Sequence, residues 1–296
     1  MEREVKDITP TKNVSDLVEQ MYESGGFMAK HVGVAARILK EMLEKSDLRF
    51  LSFPACIIAT GTRGIIKEFL RKRLFDVVIT TCGTWDHDLA RSFKPYYHGS
   101  FFADDKELHK RGIYRLGNIF IPHENYAGII EEKMAEILEG KEGNFATYEI
   151  SWMIGEKLHE DSLLYWAYKN KIPVIVPAPY DGAVGYQIWQ YQQTHEFTVD
   201  IKKDESLIAD LVWNSKVSGA LMIGGGISKH HVIWWNQFKD GLDYTVFITT
   251  ATEYDGSLSG ARTREAISWG KIKEEAKHIT VQADATIVLP LLASFL

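Results

Sequence analysis

Short uninterrupted apolar runs alternate with stretches of helical spacing along most of this chain, and that alternation leaves few folds open. The runs fall at 76–81, 119–121, 174–176, 220–223, 244–248 and 279–281, and 50–58 reads as a further strand. A strand apolar on both sides must be covered on both sides. Strands of this kind, separated by helices, predict a doubly wound, mainly parallel, Rossmann-like α/β sheet. Asn13 or Ser15 can cap a first helix with Leu17, Val18, Met21 and Tyr22 on one face, ended by Gly25-Gly26. A second helix carries the stripe Met28, His31, Val32, Ala35, Ile38, Leu39 and Met42, which makes His31 a residue of the core edge rather than a ligand. The turn 60–64 and a helix at 65–74 follow the first strand. The expected organisation is an N-terminal helical segment, 1–48, and one large α/β domain, 49–296. The polar stretch 139–144 is a surface loop too short to act as a tether.

Composition narrows the functions. With 296 residues, 45% hydrophobic and 25% charged, the chain can bury a large core, and disorder, collagen and coiled coil are excluded. Forty acids against thirty-four Lys plus Arg give a formal charge of −6, with no basic block to follow a phosphate backbone, so nucleic acid is not expected as a partner. The start, Met1 to Asp7, is charged where a signal peptide would be apolar, and no run reaches the roughly 18 apolar residues of a membrane span. A cytoplasmic protein is expected. Cys56 and Cys82 stand in no metal or redox spacing and read as small structural residues.

In an open parallel sheet, ligands bind beyond the carboxyl ends of the strands, so the segments that follow the strands are the functional inventory. Here they are Cys82-Gly83-Thr84-Trp85-Asp86-His87-Asp88, then Pro179 to Gly185, then Gly224-Gly225-Gly226-Ile227-Ser228-Lys229-His230-His231, and finally Thr250 to Ala261. Their glycines suit close approach of a dinucleotide pyrophosphate to main-chain N–H groups, or they are ordinary turn residues. Neither a Gly-x-Gly-x-x-Gly fingerprint nor a Walker lysine decides between the two. Asp181 and Asp284 could accept from ribose hydroxyls or cap helices. Asp86-His87-Asp88 and His230-His231 are adjacent residues, read as lying on turns where they point apart, with no His at i and i+4, so no metal is expected, and no Gly-x-Ser-x-Gly elbow marks a hydrolase.

The segment Arg264-Glu265-Ala266-Ile267-Ser268-Trp269-Gly270-Lys271 differs in kind. Glu265 and Trp269 are i and i+4 on a helix, and a carboxylate beside an aromatic face suits an ammonium or polyamine. Lys271 is either a partly buried amine able to form an imine, or a solvated charge at a helix end.

The run Glu253-Tyr-Asp-Gly-Ser-Leu-Ser-Gly-Ala-Arg to Ser268-Trp-Gly-Lys271, with 224–231, Ala283-Asp284-Ala285 and Gly117-Asn-Ile-Phe-Ile-Pro-His-Glu-Asn-Tyr126, resembles deoxyhypusine synthase from about residue 50 onward. The resemblance implies an NAD-dependent aminobutyl transferase whose catalytic part is 49–296. In that family NAD takes a hydride from spermidine, a lysine captures the aminobutyl unit as an imine, and the unit passes to a lysine of translation initiation factor 5A. It implies Lys271 as the nucleophile and His230, Glu265, Trp269, Gly256 and Ser257 at the polyamine. It places Thr81, Cys82, Gly83, Asp181, Gly225, Thr250, Ala251, Asp284 and Ala285 at the cofactor, and it implies a homotetramer with active sites at a subunit interface. A homospermidine-forming relative and a non-catalytic NAD-binding relative are the alternatives. The chain departs from eukaryotic members at Ala55–Ala59, in place of a Ser-Asn-Leu-Ile-Ser segment, and at Asp86 and His87, in place of paired glutamates. It departs again at Tyr186 and Leu258, where two aspartates are replaced.

Overall fold

The computed structural model describes residues 4–296, which divide into two compact units. The first comprises the chain as far as Pro54, Leu74–Ile79 and Leu207–Leu296. Its sheet runs in the order Ile272–Gln282, Leu242–Thr249, Ser218–Ile223, Leu48–Phe53, Val77–Thr80. The three pairings among the strands from Ile272–Gln282 to Leu48–Phe53 are parallel, as the continuous apolar runs require. Register shows how the sheet is covered. Tyr244 pairs with Gly219 and Phe247 with Met222, so alternation along the strands puts the two pairs on opposite faces. On the first face Gly219 admits the helix Phe27–Lys45, whose Met42 side chain would lie 2.4 Å from any Cβ there. On the second, Lys229 of the helix Gly226–Asn236 stands over the Phe247 ring. The sheet is therefore doubly wound.

Asn13 caps the helix Val14–Ser24 by accepting from the Ser15 and Asp16 amides, and Gly25 closes it at φ 74°. His31 sits at the core edge with Nδ1 2.8 Å from the Thr280 carbonyl. The first strand is shorter than the expected 50–58. It ends at Phe53 because Pro54 has no N–H for the ladder, and Ala55–Ala59 turns as a 3-10 helix that buries Ile57 and Ile58.

The second unit comprises Ala55–Arg73 and Thr80–Ser206. Seven helices lie wholly within it, among them Arg63–Arg71, Gly83–Phe93, Thr147–Glu156, Leu163–Asn170 and Ala183–Tyr191. The run 119–121 is a strand, Ile119–Pro122, but it pairs antiparallel with Tyr97–His98 and Ile113–Leu116 in a small sheet of its own. The Asp86-His87-Asp88 triplet lies on the helix Gly83–Phe93 rather than on a turn, and its two carboxylates serve different neighbours. Asp88 accepts from Arg63 Nε at 2.6 Å, Ser162 Oγ at 2.6 Å and the Leu164 amide at 2.9 Å, tying three helices together. Trp85, fully buried, donates to Ser151 Oγ at 2.7 Å. No helix of the described residues is long and apolar enough to cross a membrane.

Candidate active site

Lys271 is delivered by a helix end. The helix Thr263–Ser268 stops one residue before Trp269, so Glu265 and Trp269 are not both helical, yet both line one cavity. The Gly270 amide donates to the Ile267 carbonyl at 2.9 Å and the Lys271 amide to the Ala266 carbonyl at 3.0 Å, with Gly270 at φ 66°. This is the bonding of a glycine-closed helix terminus, and it turns the chain straight into the strand Ile272–Gln282. The Lys271 carbonyl accepts from the Leu242 amide, and Gly241 packs against the Lys271 main chain, where a Cβ would come within 2.8 Å. Lys271 is thus held by backbone on both sides. A Gly270→Ala variant would meet no atom within 4 Å but would force alanine into the left-handed region. It should cost about 1–2 kcal/mol in chemical denaturation and reduce reactivity at Lys271. Unchanged stability would mean the terminus is not held at that φ.

The cavity is about 340 Å³, walled by Lys229, His230, Ile233, Trp234, Phe247, Leu258, Ala261, Arg262, Glu265, Ala266, Trp269 and Lys271. Lys271 is 9% exposed whereas Trp269 is 66% exposed, so the amine lies inward and the indole at the rim. The Lys271 Nζ stands 5.0 Å from the Trp269 ring centroid, a distance at which the π face attracts a cation. His230 stacks on Trp234 at 5.7 Å, and burial together with the Lys271 charge holds it below its usual range, favouring the neutral imidazole.

Lys229 was not among the site residues expected from sequence. It is fully buried, with Nζ 3.8 Å from the Phe247 ring centroid, and donates to the carbonyls of Leu258 at 2.8 Å and Ala261 at 2.9 Å. Burial pushes its ammonium down to about 7, Arg262 adds to the effect, and Glu265 opposes it. The signal was in the sequence: Lys229, Val232, Ile233 and Asn236 form the buried stripe of their helix, and a lysine on such a stripe must find acceptors.

The other expected residues separate. Gly256 and Ser257 do not line the cavity. They form the exposed turn before Leu258, with the Ser257 amide donating to Asp255 Oδ1 at 2.7 Å and Gly256 at φ 70°. In the first unit Thr250 and Ala251 follow the strand Leu242–Thr249, and Gly225 precedes the helix Gly226–Asn236. No side chain caps that helix start, and the space a Gly226 Cβ would take is open, a backbone able to receive an anionic group. Asp284 is the N-cap of the helix Ala285–Phe295, its Oδ1 accepting from the Thr286 amide at 2.7 Å. Its other carboxylate oxygen is left for a hydroxyl donor.

In the second unit Thr81, Cys82 and Gly83 open the helix Gly83–Phe93. The Cys82 thiol is buried against the Pro179 carbonyl, so only its backbone is available to a ligand. Asp181 does not cap the helix Ala183–Tyr191. Asp86 does so from a distance, accepting from the Ala183 and Val184 amides at 3.0 and 2.8 Å and from the Tyr126 hydroxyl at 2.7 Å. The Asp181 carboxylate is thereby left uncommitted to a cap.

Residues 16–296 match the family model of deoxyhypusine synthase. A "probable deoxyhypusine synthase" of Thermoplasma acidophilum is 49% identical over 304 residues, covering 100% of this chain and 98% of the relative. Another, from Ignicoccus hospitalis, is 51% identical over 298 residues, covering 97% and 93%. A crystal structure from Entamoeba histolytica assigned to deoxyhypusine synthase shares the fold at TM-score 0.69 and 23% identity, covering 99% and 96%. The lysine, the carboxylate and the indole gathered in one cavity, and a family match that runs through all three, lead to one conclusion: this chain belongs to the deoxyhypusine synthase family of transferases.

Proposed function

We propose that the chain transfers the aminobutyl group of spermidine to a lysine of translation initiation factor 5A, with Lys271 as the carrier. The observation that carries this reading is the inward Lys271 amine beside Trp269 and Glu265 in a largely apolar cavity. Glu265 and the Trp269 face attract the ammonium groups of the substrate. NAD, when bound, would accept the hydride that converts the secondary amine of spermidine to an imine, and would return it at the end. Lys271 attacks the imine carbon. A C–N bond forms to Lys271, the bond to the aminopropyl nitrogen breaks, and a proton leaves with 1,3-diaminopropane. The acceptor lysine then displaces Lys271 in the same way. Burial of Lys271 keeps water from the imine meanwhile.

In the first unit the residues proposed for NAD are Gly225, Thr250, Ala251, Asp284 and Ala285; the second unit, taken by itself, offers Thr81, Cys82, Gly83 and Asp181 as cofactor residues. The exposed Trp269 and Trp234 at the cavity rim support a homotetramer in which a neighbouring subunit covers that side. Cys56 and Cys82 form no disulfide, which accords with the reducing cytoplasm.

Incubation with NAD, labelled spermidine and purified factor 5A should place label on the factor. Label on a free amine would instead identify a homospermidine-forming enzyme, and no label anywhere a non-catalytic relative. Two site predictions accompany this. Glu265→Gln and Trp269→Ala should weaken spermidine use, the latter roughly two- to thirtyfold, and leave NAD binding nearly intact by calorimetry. Equal loss of both ligands would assign these residues to the support of the fold. Leu258 lines the cavity where eukaryotic relatives are expected to carry an aspartate, so Leu258→Asp should lower the spermidine requirement, by about tenfold if the charge reaches an ammonium. A folded variant with unchanged or poorer affinity would show that the polyamine lies elsewhere.

A further inference from the structure

Arg262 spends a buried charge on a peculiar task. It is 8% exposed and belongs to the walls of two cavities, the Lys271 cavity and a second of about 350 Å³. Its Nη2 donates to Gln282 Oε1 at 2.9 Å and to the Ala251 carbonyl at 3.3 Å, and its Nε lies 4.0 Å from Glu253. Its Nη1 is buried with no hydrogen-bond partner among the described residues. A guanidinium left partly unpaired in the interior is costly, and an apolar side chain of similar volume would commonly be neutral or better for stability. Stability therefore does not account for arginine here.

Geometry does. Thr249 and Gln282 are register partners at the carboxyl ends of two adjacent strands. Arg262 reaches both ends at once, gripping the residue two beyond Thr249 on one strand and the side chain of Gln282 on the other. Thr250 and Ala251 continue the first strand, and Asp284 and Ala285 the second. We propose that Arg262 is a positioning residue that clips these two strand ends together, so that the backbone proposed to hold NAD is fixed relative to the wall of the Lys271 cavity. This rests on the cofactor reading given above. Both bonds leave one nitrogen, Nη2, at the end of a side chain longer than that of lysine, so Arg262→Lys should restore the clip only in part.

The test uses the full-length chain without cofactor first. Hydrogen exchange in Arg262→Met should accelerate about tenfold or more at 250–253 and 282–286, less in Arg262→Lys, and change little elsewhere in both. The NAD dissociation constant by calorimetry should rise about tenfold. Gln282→Ala, which removes one acceptor, should reproduce the exchange change at 282–286 and serves if the arginine variants do not fold. Unchanged exchange at both strand ends overturns the proposal, as does acceleration spread evenly over the first unit, which would make Arg262 a general stabiliser. Wild-type protein that binds no NAD would overturn the cofactor reading, and the exchange result would still decide whether the clip exists.

Discussion

Lys271→Arg abolishes aminobutyl transfer, by at least about a thousandfold, while the variant folds and still binds NAD. Arginine fills the same buried position and keeps the charge facing Trp269, so binding survives in outline. Its guanidinium stays protonated and cannot attack an imine carbon. Borohydride reduction in the presence of NAD and spermidine should label wild-type Lys271 and leave the variant unlabelled, read by mass spectrometry of the peptide spanning the site. The nearest rival is Lys229 in the same cavity, but its amine is already committed to two carbonyls above the Phe247 ring. Label on Lys229, or on any lysine other than 271, would overturn the assignment.

The second large effect is a trade between stability and activity at Lys229. Its folded ammonium titrates at about 7 against an ordinary value of 10.5. Between those values the unfolded chain binds more protons than the native one, so stability at this site rises as pH climbs from about 7 towards 10.5 and is lost over the same window as pH falls. Relative to Lys229→Met, wild type should therefore gain about 2 kcal/mol between pH 7 and pH 9 in denaturant unfolding. Activity should move the other way. Without the lysine, the carbonyls of Leu258 and Ala261 lose their donor, the segment between them is free to shift, and transfer should fall about tenfold or more. A pH-independent difference between the two proteins would show that Lys229 is charged in both states, and unimpaired transfer would free the loop of any dependence on it.

Much of this was legible before the structure. Continuous apolar strands cannot face water, so 220–223 and 244–248 had to lie inside a parallel sheet, and they do, while 279–281 pairs in parallel at the sheet edge with Ile279 half-buried. Asn13 and the Gly25-Gly26 pair mark their helix boundaries through local backbone chemistry that needs no distant partner. The Glu265, Trp269 and Lys271 grouping was legible for the same reason, since residues within one turn and its exit are neighbours whatever the rest of the chain does.

Local pattern failed where a distant residue decides. The apolar character of 50–58 suggested one long strand, but the ladder stops at Pro54 and the remainder buries Ile57 and Ile58 by turning. Asp181 could be read as a cap or as a partner of ribose hydroxyls, and sequence could not show that the amides of that helix start are taken by Asp86, 95 positions earlier by number. Gly241 gave no sign of its role because the Lys271 main chain that would meet its Cβ belongs to another strand. Periodicity and turn chemistry act over a few residues, and those the sequence by itself determined: the strands, the helix ends and the amine beside its carboxylate and indole. Which carbonyls hold Lys229, which strand ends meet at Arg262 and which carboxylate caps the helix after Asp181 depend on contacts formed only when the chain closes on itself, and those the tertiary structure alone decided.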